Sequence, residues 1–281
     1  MKSKFFLLIF TAFASFLFVA CSEDDKPTPQ VTSFKILDEE LAIDRFGIGF
    51  RLNDIALGLE VQKIMDGMIA DGKAAEISIK WFGDDIILRD QQFLKDTNVA
   101  AADQSLANVL AKGNLIIGGD LSYAPMFFSE QGTIKGFDVD IAMEVAKRLG
   151  VELIKVPLNW DNKENSLNAG NIDAIWCGLS ITTPRLESMF IPKPYMNNRF
   201  VVIVPENSTI KNISDLENKI VGIQKGGATV DAFLANPVHS KISKLEELST
   251  NLDIFNELKA GKIDAGIMDE SVARYLISTN K

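Results

Sequence analysis

The sequence LNAGNIDA at residues 167–174 returns as LKAGKIDA at residues 258–265, and this repeat decides the predicted fold. In each copy a helix is expected to end at the glycine, Gly170 or Gly261, because glycine readily adopts the left-handed conformation that closes a helix. An apolar strand then begins at the isoleucine that follows. Two similar helix-to-strand units predict two similar lobes, although helix ends of common composition can match by coincidence over so short a stretch.

The stretches around the repeat alternate between strand and helix patterns. Strands are predicted at residues 115–119, 151–156 and 220–223, and helices from an Asp138 cap to Gly150 and from Thr229 to Ala235. This order predicts an α/β fold in which helices cover parallel sheets. Ligands of such sheets bind beyond the carboxyl ends of the strands, so the residues after each strand are the candidate site residues.

Polar residues follow both strands of the repeat. Gly178, Ser180 and Arg185 come after the first strand, and Asp269 comes after the second. If the lobes face each other, a guanidinium suited to a carboxylate lies opposite an acid that can accept from an ammonium group. Together they predict a site for a zwitterion. The alternative is that Arg185 and Asp269 are ordinary charges at the starts of two helices.

Composition excludes several classes of function. A net charge of -9 argues against a nucleic-acid partner, because phosphates require a basic face. The only histidine, His239, is remote in sequence from Cys177, which lies in an apolar run and is expected to be a buried core thiol. We therefore expect no catalytic Cys/His or Ser/His pair, no zinc site, no cofactor and no intramolecular disulfide.

The amino terminus carries an export signal. Two lysines precede an apolar run at residues 5–20, which is shorter than a membrane-spanning helix requires and ends at Cys21. This junction resembles a bacterial lipobox, which implies a signal peptide at 1–20, lipid attachment at Cys21 and a tether at 21–33 that holds the body on a membrane of the cell envelope, periplasmic or at the cell surface. The alternative is an ordinary signal peptide with an incidental cysteine.

Several linked motifs occur along the chain: GDLSYAP at 119–125, GFDVD at 136–140, IDA at 172–174, SIT at 180–182 with Arg185, VGI at 221–223, and Asp269 with Glu270. Together these motifs resemble the family 3 solute-binding proteins, the polar amino-acid receptors of ABC importers. The resemblance implies a two-lobed periplasmic-binding-protein-like (type II) fold. It also implies a monomer that binds a small amino acid and delivers it to an ABC transporter permease.

The closing section of the family pattern lies at the wrong end of the chain. Residues 34–83, with FGIGFR at 46–51 and WFG at 81–83, resemble the section that normally comes last. The chain is therefore expected to be circularly permuted, with residues 84–111 joining the ancestral termini. Lobe 1 is predicted at 47–198, and lobe 2 at 34–46 plus 199–281, with a strand near residues 34–36. The alternative is a separate small domain at 34–83.

The resemblance also assigns roles to single residues. Arg185 would pair with the ligand carboxylate, helped by Ser180 and by backbone N–H groups near Ala228 and Thr229 at a helix start. Asp269 would accept from the ammonium group, with help from the Gly178 carbonyl. The residues expected to surround the ligand side chain are Tyr123, Trp160, Asp120 and Gln224. For Trp160, a role as a plain core residue stays open.

Ligand specificity is argued from residues 126–128. The family often has Phe-Glu-Phe here, but this chain has Met-Phe-Phe and so lacks an acid for a cationic side chain. A neutral polar amino acid is expected, with Lys225 as the one candidate partner for an acidic side chain. Two alternatives stay open: a cyclohexadienyl dehydratase-like enzyme, with Glu270 or Asp120 as the acid, and a surface receptor without its own importer.

Overall fold

The computed structural model describes residues 31–280, and the predicted signal peptide, Cys21 and most of the tether lie outside the described residues. The strands in this range are β1 (Phe34–Arg51), β2 (Asn114–Gly119), β3 (Ser122–Tyr123), β4 (Phe127–Glu130), β5 (Thr133–Lys135), β6 (Glu152–Pro157), β7 (Ala174–Ser180), β8 (Met189–Phe190), β9 (Met196–Pro205), β10 (Ile220–Gln224), β11 (Lys244–Leu248) and β12 (Ala265–Asp269). The α-helices in the same range are α1 (Ile55–Ala70), α2 (Lys73–Phe82), α3 (Ser105–Lys112), α4 (Phe137–Leu149), α5 (Lys163–Asn168), α6 (Thr183–Ser188), α7 (Ala228–Leu234), α8 (Asn251–Lys259) and α9 (Glu270–Thr279).

One large sheet runs through the molecule in the order β11-β10-β12-β9-β1-β7-β2-β6, and β8 adds to β1. At one end β10 runs parallel to β11 and β12, and at the other end β2 runs parallel to β6 and β7. The predicted parallel strands are therefore confirmed at both ends. The prediction misses the centre, where β1 and β9 are antiparallel to each other and to their outer neighbours.

The two central strands connect the two ends of the sheet. Residues 34–46 of β1 pair with β9, and residues 46–50 pair with β7. Strand β9 pairs with β12 through residues 200–203. The strands β1 and β9 therefore belong to both halves of the sheet and cross between them side by side, near residues 44–47 and 196–199.

Helix ends follow the sequence where glycine decides them. Gly150, Gly170 and Gly261 have φ angles of 78°, 77° and 68° and close the preceding helices, as predicted. The predicted Asp138 cap is wrong, because α4 begins at Phe137 with Gly136 at the cap position, and the Asp138 side chain caps nothing. Its carboxylate is instead buried beneath β7, where it accepts hydrogen bonds from the Gly178 N–H (2.6 Å) and the Tyr195 hydroxyl (2.8 Å).

Most of the buried apolar residues form one large cluster beneath the strands. All seven residues of β7 are buried, including Cys177, whose thiol is free and fully enclosed, as expected of a core cysteine. A second apolar cluster lies around β10 and β12, with Phe233 of α7 at its centre. Among the helices of residues 31–280, none is long and apolar enough to cross a bilayer.

Candidate ligand-binding site

Arg185 lies in the first turn of α6, directly after β7. The Thr182 hydroxyl accepts a hydrogen bond from the Arg185 backbone N–H at 3.4 Å, so the turn is fixed by a side-chain cap. Arg185 is only 6% exposed, and its guanidinium donates to the Ser180 carbonyl at 2.8 Å and to the Gly226 carbonyl at 3.4 Å. Arg185 therefore connects the end of β7 to the loop after β10.

A second cation, Lys163, lies beside this arginine. Its ammonium group donates to the Trp160 carbonyl at 3.2 Å and to the same Gly226 carbonyl at 3.1 Å. Burial, followed by the charge of Arg185, lowers the pKa of Lys163 to about 8. Sequence reasoning missed this residue, because the polar stretch around it has the composition of an exposed loop.

Asp269 ends β12 on the opposite side of the site and is 7% exposed. Burial raises the pKa of its carboxyl to about 7, with a further increase from the negative charge of Asp44. Hydrogen bonds with Tyr123 and Asn198, and the charge of Arg185, act in the other direction. The Asp269 carboxylate thus lies within electrostatic reach of the Arg185 guanidinium.

Asp44 of β1 and Asn198 of β9 are a cross-strand pair that sequence reasoning missed. The Asn198 side-chain amide donates to Asp44 Oδ2 at 3.0 Å and to Asp269 Oδ1. Both residues lie where β1 and β9 cross between the halves of the sheet. The sequence offered no clear signal, because Asp44 ends an acidic stretch and Asn198 lies next to a second asparagine.

The aromatic residues Tyr123 and Trp160 form a wall of the site. Their rings are nearly parallel, with 8° between the planes and 6.3 Å between the centroids. The Lys163 ammonium lies 5.0 Å from the Trp160 ring centroid, and the Arg185 guanidinium carbon lies 6.0 Å from it. Trp160 is buried, as a core residue would be, but its neighbours are the charged groups of this site.

Asp120 and Gln224 meet across the two halves of the sheet. Asp120 Oδ1 accepts from the Ser122 backbone N–H (2.9 Å) and hydroxyl (2.7 Å), and Asp120 Oδ2 accepts from Gln224 Nε2 (2.9 Å). The Gln224 side-chain oxygen accepts in turn from the Asn251 amide at 2.9 Å. This chain of hydrogen bonds joins the end of β2 to the end of β10. It leaves Asp120 with its acceptor atoms occupied by protein donors.

The remaining predicted residues lie nearby. Gly178 has a φ of +53° inside β7, and a Cβ atom there would lie 2.6 Å from Tyr123 Cε1. Ala228 and Thr229 are buried at the start of α7, where helix N–H groups have no partner within the helix. A cavity of about 280 Å³ lies between this helix start and Arg185. The structure therefore brings all ten predicted binding residues into one region.

Two earlier candidates for other roles are engaged elsewhere. Lys225 forms an ion pair with Asp161 at 2.8 Å, and both side chains are largely exposed. Glu270 accepts from Arg199 and Arg274, and the hydrogen bond from Arg199 is the main cause of its lowered pKa. Within residues 31–280, no three His, Cys, Asp or Glu side chains are grouped as a metal site.

Two sets of parallel strands joined by two crossing strands, with buried charges of opposite sign between them, define a two-lobed ligand-binding protein. The chain belongs to the bacterial extracellular solute-binding proteins, family 3, whose model matches residues 115–261. This match confirms the family and the type II periplasmic binding fold that the sequence predicted.

Relatives of known description agree with this family. A probable histidine-binding protein of Campylobacter jejuni is 30% identical over 170 residues, which cover 59% of this chain and 64% of the relative, less than two thirds of its length. A Streptococcus pneumoniae ABC uptake transporter substrate-binding protein with bound histidine superposes with a TM-score of 0.61, at 29% identity, over 64% of this chain and 74% of that chain.

A second similar structure bears on the enzyme alternative. The ancestral amino acid-binding protein AncCDT-1, described as a precursor of cyclohexadienyl dehydratase, superposes with a TM-score of 0.59 at 31% identity. The match covers 62% of this chain and 78% of that chain. Binding and dehydratase descriptions therefore occur together on this fold.

Proposed function

We propose that this chain is an extracytoplasmic solute-binding lipoprotein that closes around one small amino acid and delivers it to an ABC importer. The observation that carries the proposal is the pair of buried opposite charges, Arg185 and Asp269, on different halves of one sheet. A guanidinium binds a carboxylate through parallel hydrogen bonds, and a carboxylate accepts from an ammonium group. The two ends of an amino acid match this arrangement.

Binding is coupled to closure because both halves contribute groups to the site. Gly226, Gln224 and Asp269 come from the β10–β12 half, whereas Arg185 and Asp120 come from the other half. A ligand that touches both halves stabilises the closed form over any open form. A transporter can then recognise the closed form as the loaded protein.

The side chain of the ligand is proposed to be neutral and polar. Asp120, the acid nearest to Tyr123 in sequence, has its acceptors occupied by Ser122 and Gln224, so it is not a free partner for a cation. Lys225 is paired with Asp161, so it is not a free partner for an acidic side chain. The faces of Tyr123 and Trp160 would then pack against the ligand side chain.

A cationic side chain is the second candidate. The nearly parallel rings of Tyr123 and Trp160 offer faces that attract cations. Histidine, which is named in the description of the Campylobacter relative and is bound in the Streptococcus structure, has a ring side chain that can take a proton. Comparing glutamine, histidine and arginine as ligands separates the two candidates.

Binding is favoured over dehydratase chemistry by the states of the two candidate acids. Glu270 has a lowered pKa because of Arg199, so it stays ionised and is a poor proton donor near neutral pH. Asp120 has a raised pKa because of burial, but its oxygens already accept hydrogen bonds from the protein. Incubation with prephenate or arogenate tests the dehydratase hypothesis directly, and product formation would contradict the proposal that the chain only binds.

The anchor is proposed from the sequence alone. Lipid attached at Cys21 would hold the protein at a membrane, with residues 21–33 as the tether. Metabolic labelling with a fatty-acid analogue, compared between the natural chain and Cys21→Ser, tests this part. Loss of the label in the variant is the expected result.

The central test uses Arg185→Ala. This change strands the ligand carboxylate in a buried site, so we expect affinity to fall by roughly 2 to 5 kcal/mol, or more than thirtyfold. A thermal-shift screen of the common amino acids first identifies the ligand, since a ligand at 100 times its Kd adds about 2.7 kcal/mol of stability. Titration calorimetry then compares Arg185→Ala with Arg89→Ala, an exposed arginine outside the site. Equal dissociation constants for both variants would refute the assignment.

A further inference from the structure

The Asn198 amide oxygen is a buried acceptor without a donor. Asn198 is 8% exposed, and its Oδ1 atom has no hydrogen-bond partner among the described residues. A buried acceptor without a partner is costly, so native structures rarely keep one without a reason. The amide nitrogen of the same side chain is engaged on both sides, by Asp44 and by Asp269.

The amide cannot satisfy its oxygen by turning over. Rotation by 180° would place Oδ1 against carboxylate oxygens and would lose both donated hydrogen bonds. The present orientation is therefore held by Asp44 and Asp269 together. It brings one amide oxygen and two carboxyl groups together as acceptors where Asp269, at the end of β12, meets the crossing strands.

We infer that Asp44 and Asn198 complete the amino-group subsite, so that the crossing strands bind the ligand ammonium together with Asp269. This inference rests on the proposed function and adds to it the residues that select for a primary ammonium group. Such a group has three N–H donors and one positive charge. The Asn198 amide oxygen and the carboxyl groups of Asp44 and Asp269 supply acceptors for these donors. The ligand's positive charge also offsets the repulsion between the two carboxyl groups.

The two residues would act differently. Asn198 would touch the ligand, because its oxygen is the acceptor without a donor. Asp44 would act through its charge and through Asn198, as a positioning residue. The charged and titratable groups that face Asp269 and Asp44 are Arg185 on α6, Tyr123 on β3 and Cys177 on β7, and Arg185 is the one cation among them.

A pH dependence follows for binding. Asp269 must be ionised to accept from an ammonium group, and burial with the Asp44 charge places its pKa at about 7. Affinity should therefore be about tenfold weaker at pH 6 than at pH 8, because about one tenth of the site is ionised at the lower pH. In Asp44→Asn the neighbouring charge is absent, the pKa of Asp269 falls, and the loss between pH 8 and pH 6 should be smaller.

The test measures Kd by calorimetry for L-glutamine, L-histidine and L-arginine, which share the α-ammonium and differ in side chain. Asn198→Leu is compared with Asn197→Leu, a change at the exposed neighbouring position, and Asp44→Asn is compared with Asp38→Asn, which is also exposed. We expect Asn198→Leu to bind at least tenfold more weakly, and Asp44→Asn to show the flatter pH profile. Melting of the ligand-free variants checks that each one folds.

The outcomes separate the inference from the proposed function. If the natural chain binds a probe, and folded Asn198→Leu and Asp44→Asn keep its Kd and pH profile, the inference is wrong and the proposed function stands. If Asn198→Leu fails to fold, the pH profile of Asp44→Asn alone decides: a flatter profile supports the inference, and an unchanged profile contradicts it. If the natural chain binds none of the twenty common amino acids, the proposed function fails, and the inference fails with it.

Discussion

Gly178 shows how one residue shapes the site. It has a φ of +53°, a conformation that side chains with a Cβ atom rarely adopt, and a Cβ atom would press on the Tyr123 ring at 2.6 Å. Gly150 has a φ of +78° but no atom within 4 Å of the Cβ position. A side chain would therefore strain the backbone at either position, but it would clash with a neighbouring residue only at position 178.

Gly178→Ala is expected to destabilise the protein more than Gly150→Ala does. Strain at a positive φ costs on the order of 1 kcal/mol in either variant, and displacing the Tyr123 ring adds about 1 to 3 kcal/mol at Gly178 alone. Urea denaturation measures both free energies of unfolding. The amino-acid affinity of Gly178→Ala should also fall, whereas that of Gly150→Ala should not. Equal unfolding energies and equal affinities would contradict this view of Tyr123.

At the residue scale the sequence predicts the site in part. Arg185 and Asp269 could be found because each follows a predicted strand, and such positions share an edge of the sheet. Asp44, Asn198 and Lys163 could not be found in this way. Their importance depends on which strands cross and on which backbone carbonyl, that of Gly226, approaches from the other half.

At the scale of elements, the outer strands and the helix ends could be predicted, and the central strands could not. Apolar runs and closing glycines are local signals, and they indicated β2, β7, β10 and β12. Strand β1 was predicted only at residues 34–36, because the acidic stretch that follows does not have a strand pattern. This stretch forms a strand because its backbone pairs with β9 along residues 34–46, and the local sequence does not reveal that pairing.

Contacts between the ends of β2 and β10 make closure measurable. Gln224 donates to Asp120 at 2.9 Å and accepts from Asn251 at 2.9 Å, and all three are buried in the closed arrangement. Gln224→Leu leaves both partners without their bonds in the closed form. In an open form water can replace these bonds, so the cost of about 1 to 3 kcal/mol falls on closure.

We therefore expect Gln224→Leu to bind its amino acid fivefold to a hundredfold more weakly, with little change in the melting temperature of the ligand-free protein. Calorimetry and thermal melting measure the two quantities. Gln92→Leu, at an exposed position, is the matched control. A lower melting temperature with an unchanged Kd would mean that Gln224 stabilises the fold rather than closure.

At the scale of the whole molecule, circular permutation stays a prediction, and the two ends of the described chain bear on it. The Asn280 side-chain amide donates to the Thr32 carbonyl at 3.3 Å, so the first and last described residues are in contact. Residues 83–104 run from α2 to α3 with one isolated bridge, between Ile87 and Met196. The contact between Asn280 and Thr32 suits a chain that was cut in a former loop. The segment 83–104, with little regular structure, suits a connection that joins former termini.

Reversing the permutation tests this history. A variant that starts at Val99, continues to Asn280, passes through two glycines to Thr32 and ends at Asn98 restores the order expected from the family. Because the joined ends touch and the new ends are exposed, we expect it to fold with a melting temperature within about 4 °C of the natural body and to keep Arg185-dependent binding. The control has the same join but is opened inside β7, between Trp176 and Cys177, where buried strand pairing is broken. Folding of the control alone, or of neither variant, would show that residues 84–111 are part of the fold and not a late joining segment.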